Sequence, residues 1–166
     1  MRKILVPQIV LGCLMLFPLT QSYAQGKFGA GFIIGDPSGF AWNYRLSPEH
    51  AIDGAIGISP FDEGRIHADY LWLAYPFQDT RWSLHYGVGA AVGFGRTEEV
   101  FYDGGFRRVF VHENDLGFGV RGVIGVSYLI PKSPVDLFAE VGPLVVLTSP
   151  SGVGVDGGLG ARFYFR

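Results

Sequence analysis

Beyond its first 24 residues, this 166-residue sequence has no cysteine and only two lysines, Lys27 and Lys132. It also has no apolar run near the ~20 residues of a membrane-spanning helix. The lone cysteine, Cys13, sits in the leader-like start, so disulfides and thiol chemistry are excluded for the rest. There is no Lys/Arg run and the formal net charge is −2, which argues against nucleic acid as a partner. No spaced His/Cys set matches a metal motif, so no metal and no cofactor is expected. The letters Gly117-x-Gly-x-x-Gly122 fit a dinucleotide fingerprint, but they lie within a strand pattern and no helix follows. Disorder is excluded as well, because 15% of the residues are aromatic and only 17% are charged. The 25 glycines form no collagen triplet and no low-complexity tract.

What is present begins with an address. Arg2 and Lys3 form a positive start, Ile4–Leu19 is mostly apolar, and Ser22-Tyr23-Ala24 places small residues at −3 and −1. This pattern predicts a signal peptide over 1–24, cleaved before Gln25, and one barrel domain over 25–166. Leu11-Gly12-Cys13 raises a lipoprotein alternative, which the very apolar Leu14–Leu19 disfavours.

Turn-like clusters punctuate the remainder. They are Asp36-Pro37-Ser38-Gly39, Ser47-Pro48-Glu49-His50, Pro60–Gly64, Pro76–Thr80, a long polar stretch over Arg96–Asp115, Pro131–Pro134 and Ser149–Gly152. They bound eight segments, about 27–35, 39–46, 50–59, 65–75, 81–95, 116–130, 134–148 and 152–165. Each is rich in aromatic and β-branched residues with period-two character. The fifth is the cleanest: Trp82, Leu84, Tyr86, Val88, Ala90, Val92 and Phe94 share one face. Ser83, His85, Gly87, Gly89, Ala91 and Gly93 share the other. Pro143 is anomalous inside the seventh segment, and a bulge is expected there.

The choice of outer face sets the class. A soluble lipocalin-type barrel puts its apolar face inward, whereas a transmembrane barrel does the reverse. Here the polar face is Gly, Ala and Ser with opposite charges and almost no lysine. The apolar face is too large and aromatic for the inside of an eight-stranded barrel. Phe28, Tyr44, Trp72, Trp82, Tyr128, Phe163 and Phe165 fall near one rim, and Phe40, Phe94 and Phe118 near the other, like two interfacial girdles. The expected fold is therefore all-β, an eight-stranded antiparallel up-and-down transmembrane β-barrel. With both termini periplasmic, the longest connection lands outside the cell.

These features resemble the small eight-stranded outer-membrane barrels of the OmpA/OmpX type, and most of all an uncharacterised bacterial family of short barrels. The residues carrying the resemblance are Gly29-x-Gly31-x-x-x-Gly35-x-Pro37-x-Gly39, Ala51–Gly57, Asp69-Tyr70-Leu71-Trp72, Tyr86-Gly87-Val88-Gly89 and Val135–Glu140. The resemblance implies the bacterial outer membrane, its lipid and the barrel assembly machinery as surroundings, and no catalytic set. Barrels of this type usually end on an aromatic residue, whereas here Phe165 is penultimate and Arg166 is last.

By strand parity the lumen should hold Arg45, Arg65, Arg121 and Arg162 with Asp53, Asp69, Asp136, Glu140 and Asp156, joined by Asn43, His67, His85 and Tyr164. Buried charges are costly unless paired, so a salt-bridged plug is expected rather than a pore or proton path. No histidine sits beside a serine on the lipid face at the outer rim, as outer-membrane lipid A-modifying enzymes require, so no enzymatic activity is expected. A second candidate is the segment Arg96–Asp115. Glu98–Tyr102 and Phe106–Val111 read as a hairpin turning at Asp103-Gly104-Gly105. Phe101, Tyr102, Phe106 and Phe110 with Arg107 and Arg108 could meet an extracellular protein, a glycan or lipopolysaccharide. The expectation is a monomer with a structural or surface-interaction role. The alternatives are a lipid-modifying enzyme, a narrow channel and, more remotely, a soluble carrier.

Overall fold

A computed structural model describes residues 26–59, 64–77, 79–103, 106–148 and 151–165, with the backbone alone for 95–103 and 106–115. The expected leader, Met1–Ala24, and the terminal Arg166 lie outside the described residues.

Eight strands follow in order: β1 (Phe28–Asp36), β2 (Ser38–Arg45), β3 (His50–Ile58), β4 (Gly64–Ala74), β5 (Trp82–Asp103), β6 (Phe106–Leu129), β7 (Val135–Val146) and β8 (Gly152–Phe165). Each pairs antiparallel with its sequence neighbours, and β8 returns to β1 with Phe28 opposite Phe165, closing the barrel. Closure removes both sheet edges, so the backbone polar groups of the wall find partners within it. An even strand number leaves both ends of the chain at one rim, the terminal end. The β5–β6 connection lies at the opposite, hairpin end.

The strands form where aromatic and β-branched residues alternate with small or charged ones, and they stop at the Pro- and Gly-containing clusters. β5 and β6 are the longest, and they continue through the polar stretch as the expected hairpin, with Asp103 opposite Phe106. One register shift between Gly95 and Thr97 marks where the hairpin leaves the barrel. β4 begins at Gly64, opposite Phe94, and the β6–β7 pair nearest the hairpin is Gly119 with Val146. Beyond Phe94, among the described residues, the two strands therefore pair only with each other. Nine residues at ~3.4 Å each carry the ribbon about 30 Å past its neighbours.

The expected bulge at Pro143 is not formed. The β7–β8 register runs unshifted from Val135 opposite Phe163 to Val146 opposite Gly152. The β6–β7 register is also the same on both sides of the proline, with Arg121 opposite Leu144 and Ile124 opposite Val141. The pairs between them are missing instead. A residue without an N–H cannot donate to β6, and the ladder skips that position without inserting a residue.

The faces divide as the alternation demands. Along β5, Val88 is 58% exposed while His85 is 1% exposed. Phe32, Ile34, Leu84, Ile124, Val141 and Leu159 join the exposed apolar wall. At the terminal end, Tyr70, Trp72 and Tyr86 pack in a row (centroids 5.1 and 5.6 Å), Trp82 meets Tyr128 at 4.6 Å, and Phe28 meets Phe165 at 6.1 Å. Such a wall of apolar side chains with an amphipathic ring belt suits lipid, not water. The interior is not wholly polar. Ile33, Ala41, Ala55 and Phe138 form one buried apolar cluster, and Ala51, Leu71 and Val123 another.

Candidate functional site

The lumen brings the parity-selected residues together. Asn43, Asp53, Arg65, His67, Asp69, His85, Arg121, Asp136, Glu140, Asp156, Arg162 and Tyr164 are all buried. Arg45 is half-buried, at the terminal-end mouth. The charges fall into two groups.

In the terminal half, Arg162 on β8 reaches across the bore. Its Nη1 donates to Asp53 Oδ2 at 3.3 Å and its Nη2 to Asp136 Oδ2 at 3.0 Å. The guanidinium lies over the Phe138 ring, 4.0 Å from its centroid. Tyr164 hydroxyl donates to Asn43 Oδ1 at 2.9 Å, and Arg45 lies 5.5 Å from the Tyr164 centroid. Arg45 Nη1 donates to Tyr75 hydroxyl at 2.9 Å, which donates onward to Pro48 carbonyl at 3.0 Å. Arg162 thus takes both carboxylates, while Arg45 stands on Tyr75 and near the Tyr164 ring. Beside them a cavity of about 800 Å³ opens between Lys27, Arg45, Tyr75, Arg81 and Leu129.

In the hairpin half, Arg121 on β6 is the hub. It meets Asp69 Oδ2 at 3.0 Å, Glu140 Oε1 at 3.2 Å and Asp156 Oδ1 at 3.3 Å. Arg65 meets Asp36 at 3.0 Å and Asp156 at 3.9 Å. Two histidines complete the group. His67 Nε2 lies 3.8 Å from Asp69 Oδ2 and 4.0 Å from Glu140 Oε1. His85 Nε2 lies 4.0 Å from Glu140 Oε2. Glycines on the wall make room for these side chains. A Cβ at Gly89 would fall 1.9 Å from Asp69 Oδ1, and one at Gly125 would fall 2.2 Å from His85 Nε2.

Three participants were not anticipated from the sequence. Asp36 has the parity of the outer face, and alternation alone sends it into the turn. It bonds Arg65 because Gly35, at φ 149°, breaks the alternation one residue earlier. Phe138 and Tyr75 do share lumen parity with their neighbours, and that signal could have found them. The hairpin residues Phe101, Tyr102, Phe106, Arg107, Arg108 and Phe110 are placed only by strand register. Phe101 stands opposite Arg108 and Tyr102 opposite Arg107.

At the terminal rim, the β4–β5 turn holds an ion pair in water. Arg81 Nε donates to both oxygens of Asp79 at 2.7 Å, and Arg81 Nη2 bonds one of them as well. The hydrogen bonds from Arg81 hold the Asp79 carboxyl below its usual range, and the same bonds raise the Arg81 guanidinium further.

No family model and no curated protein sequence matches the chain. Among solved structures, the N-terminal β-barrel domain of Pseudomonas aeruginosa OprF superposes with a TM-score of 0.59 at 14% identity, over 85% of this chain and 99% of that one. Neisserial surface protein A gives 0.47 at 19% identity, over 83% and 94%. The fold is that of the small eight-stranded outer-membrane barrels, as the OmpA/OmpX-type resemblance implies.

Proposed function

We propose that this protein is a monomeric barrel of the bacterial outer membrane. Its bore is plugged by ion pairs, and it works through its exterior hairpin rather than by transport or catalysis. Its strongest support is the β5–β6 ribbon, which extends about 30 Å past its neighbours at one end only. A two-stranded ribbon is marginally stable by itself. One that continues the two longest wall strands inherits their register and is held clear of the lipid. The aromatic and basic residues along it, Phe101, Tyr102, Phe106, Arg107, Arg108 and Phe110, supply the chemistry for an extracellular protein, a glycan or lipopolysaccharide. The bore supports the same division of labour. Arg121 and Arg162 each join carboxylates from two or more strands, and an eight-stranded barrel has just enough interior for side chains.

The test combines location with binding. The chain should fractionate with the outer membrane and give a heat-shifted band on electrophoresis, with planar-bilayer conductance near baseline. A Phe101→Ser, Tyr102→Ser, Phe106→Ser, Phe110→Ser variant should keep the heat-shifted band. It should lose most of the wild-type binding to lipopolysaccharide vesicles or to a glycan array. Equal binding by both proteins, or steady ion conduction by the wild type, would overturn the proposal.

A further inference from the structure

We infer that the hairpin half of the lumen is a binding site for one divalent transition-metal ion of the zinc type, held by His67, Asp69 and Glu140. These three side chains come from β4 and β7, and one ligand atom from each lies within 4.8 Å of the other two. All three are buried.

Three observations converge on a cation here. The first is charge. Among the described residues, the hairpin half sets Arg65 and Arg121 against Asp36, Asp69, Glu140 and Asp156, an excess of two negative charges. The terminal half, with Arg45 and Arg162 against Asp53 and Asp136, is even. Buried charge without compensation is costly, and a single divalent ion removes an excess of two.

The second is distance. His67 Nε2 stands 3.8 and 4.0 Å from its two carboxylates, too far for a hydrogen bond. Zinc binds nitrogen and oxygen at about 2.0–2.2 Å, which makes the edge of its tetrahedron about 3.4 Å. Movements of a few tenths of an ångström would bring the three atoms onto one ion.

The third is an unused donor. His85 is 1% exposed, and its Nε2 has no hydrogen-bond partner, yet it points at Glu140 Oε2 from 4.0 Å. It is placed to bond or bridge to the ion-bound carboxylate. Imidazole with carboxylate suits zinc and its neighbours better than calcium or magnesium, which prefer oxygen alone. Arg121 holds the same two oxygens that stand nearest His67, Asp69 Oδ2 and Glu140 Oε1, so the ion would share them with the guanidinium through their second lone pairs.

The site stands independently of the proposed surface role. The test uses the full chain folded into detergent micelles with Zn²⁺ alone, folding being verified by the heat-shifted band. Elemental analysis after gel filtration should find one zinc per chain, and Co²⁺ in its place should give visible absorption. His67→Gln should weaken zinc binding at least ~10-fold. His50→Gln should not, since His50 bonds Tyr70 hydroxyl well away from the cluster. Should His67→Gln fail to fold, the stoichiometry of the wild type still decides the matter. A folded wild type that retains no zinc, or a folded His67→Gln that retains as much as the wild type, would sink the inference.

Discussion

The two halves of the lumen solve the same problem differently. In the terminal half, Arg162 is held by Asp53, Asp136, the Ser127 hydroxyl and the face of Phe138. Arg162 meets both carboxylates, Arg45 stands at the mouth on Tyr75 and Tyr164, and the formal charges balance. In the hairpin half, Arg121 touches three carboxylates and no ring, two histidines stand just beyond hydrogen-bond range, and negative charge is in excess. One group balances its formal charges. The other is an ion-pair network with a negative excess and two imidazole nitrogens, His67 Nδ1 and His85 Nε2, left without hydrogen bonds. Pairing alone therefore does not make a lumen inert; the count of charges on each side of the pair decides that.

Removing either hub should have the largest effect. Arg121→Ala strands Asp69 and Glu140 and leaves Asp156 with Arg65 alone, 3.9 Å away, and should lower the free energy of unfolding by about 3–5 kcal/mol, the range for breaking a buried pair. Arg162→Ala strands two and should cost less. Urea titration of each variant in micelles, followed by fluorescence of Trp42, Trp72 and Trp82, measures the order. A larger loss at Arg162 would mean that the Phe138 contact, not charge, dominates.

A middle-sized effect should separate the halves more sharply. Asp136→Asn removes half of the compensation around Arg162 and should destabilise by about 1–2 kcal/mol. In metal-free protein, Asp156→Asn relieves an excess of negative charge and should be neutral or stabilising in the same assay. Equal losses from both substitutions would erase the distinction between the halves.

The smallest effect is expected outside the lumen, where the same Arg–Asp chemistry meets water. Asp79 has its pKa lowered by Arg81, so its contribution is present above the unfolded carboxylate pKa and is lost as pH falls through the folded value. Asp79→Asn should thus differ from the wild type only slightly near neutral pH, and not at all in strong acid. Salt should reduce even that difference, because exposed pairs are screened. An effect as large as that of Asp136→Asn would contradict the role given to burial.

Much of the wall was legible in the sequence. Parity chose Asp53, Asp69, Arg121, Asp136, Glu140, Asp156 and Arg162 for the lumen, and all are buried there. It worked because a strand side chain has only two directions, and a barrel gives each a different solvent. It failed at Asp36, where Gly35 breaks the alternation, and at Pro143, where a missing N–H led to a gap in the ladder rather than a bulge.

What the sequence by itself determined was the number of strands, their faces and the sign of each lumen charge. These follow from local alternation and from turn residues acting within a few positions. Only the tertiary structure decided the partners. His67 and Asp69 are two residues apart, but Glu140 joins them from β7 and Arg121 from β6. The stagger of strands around a closed barrel fixes which residues share a level. That stagger placed the negative excess beside two histidines, and no local pattern in the chain encodes it.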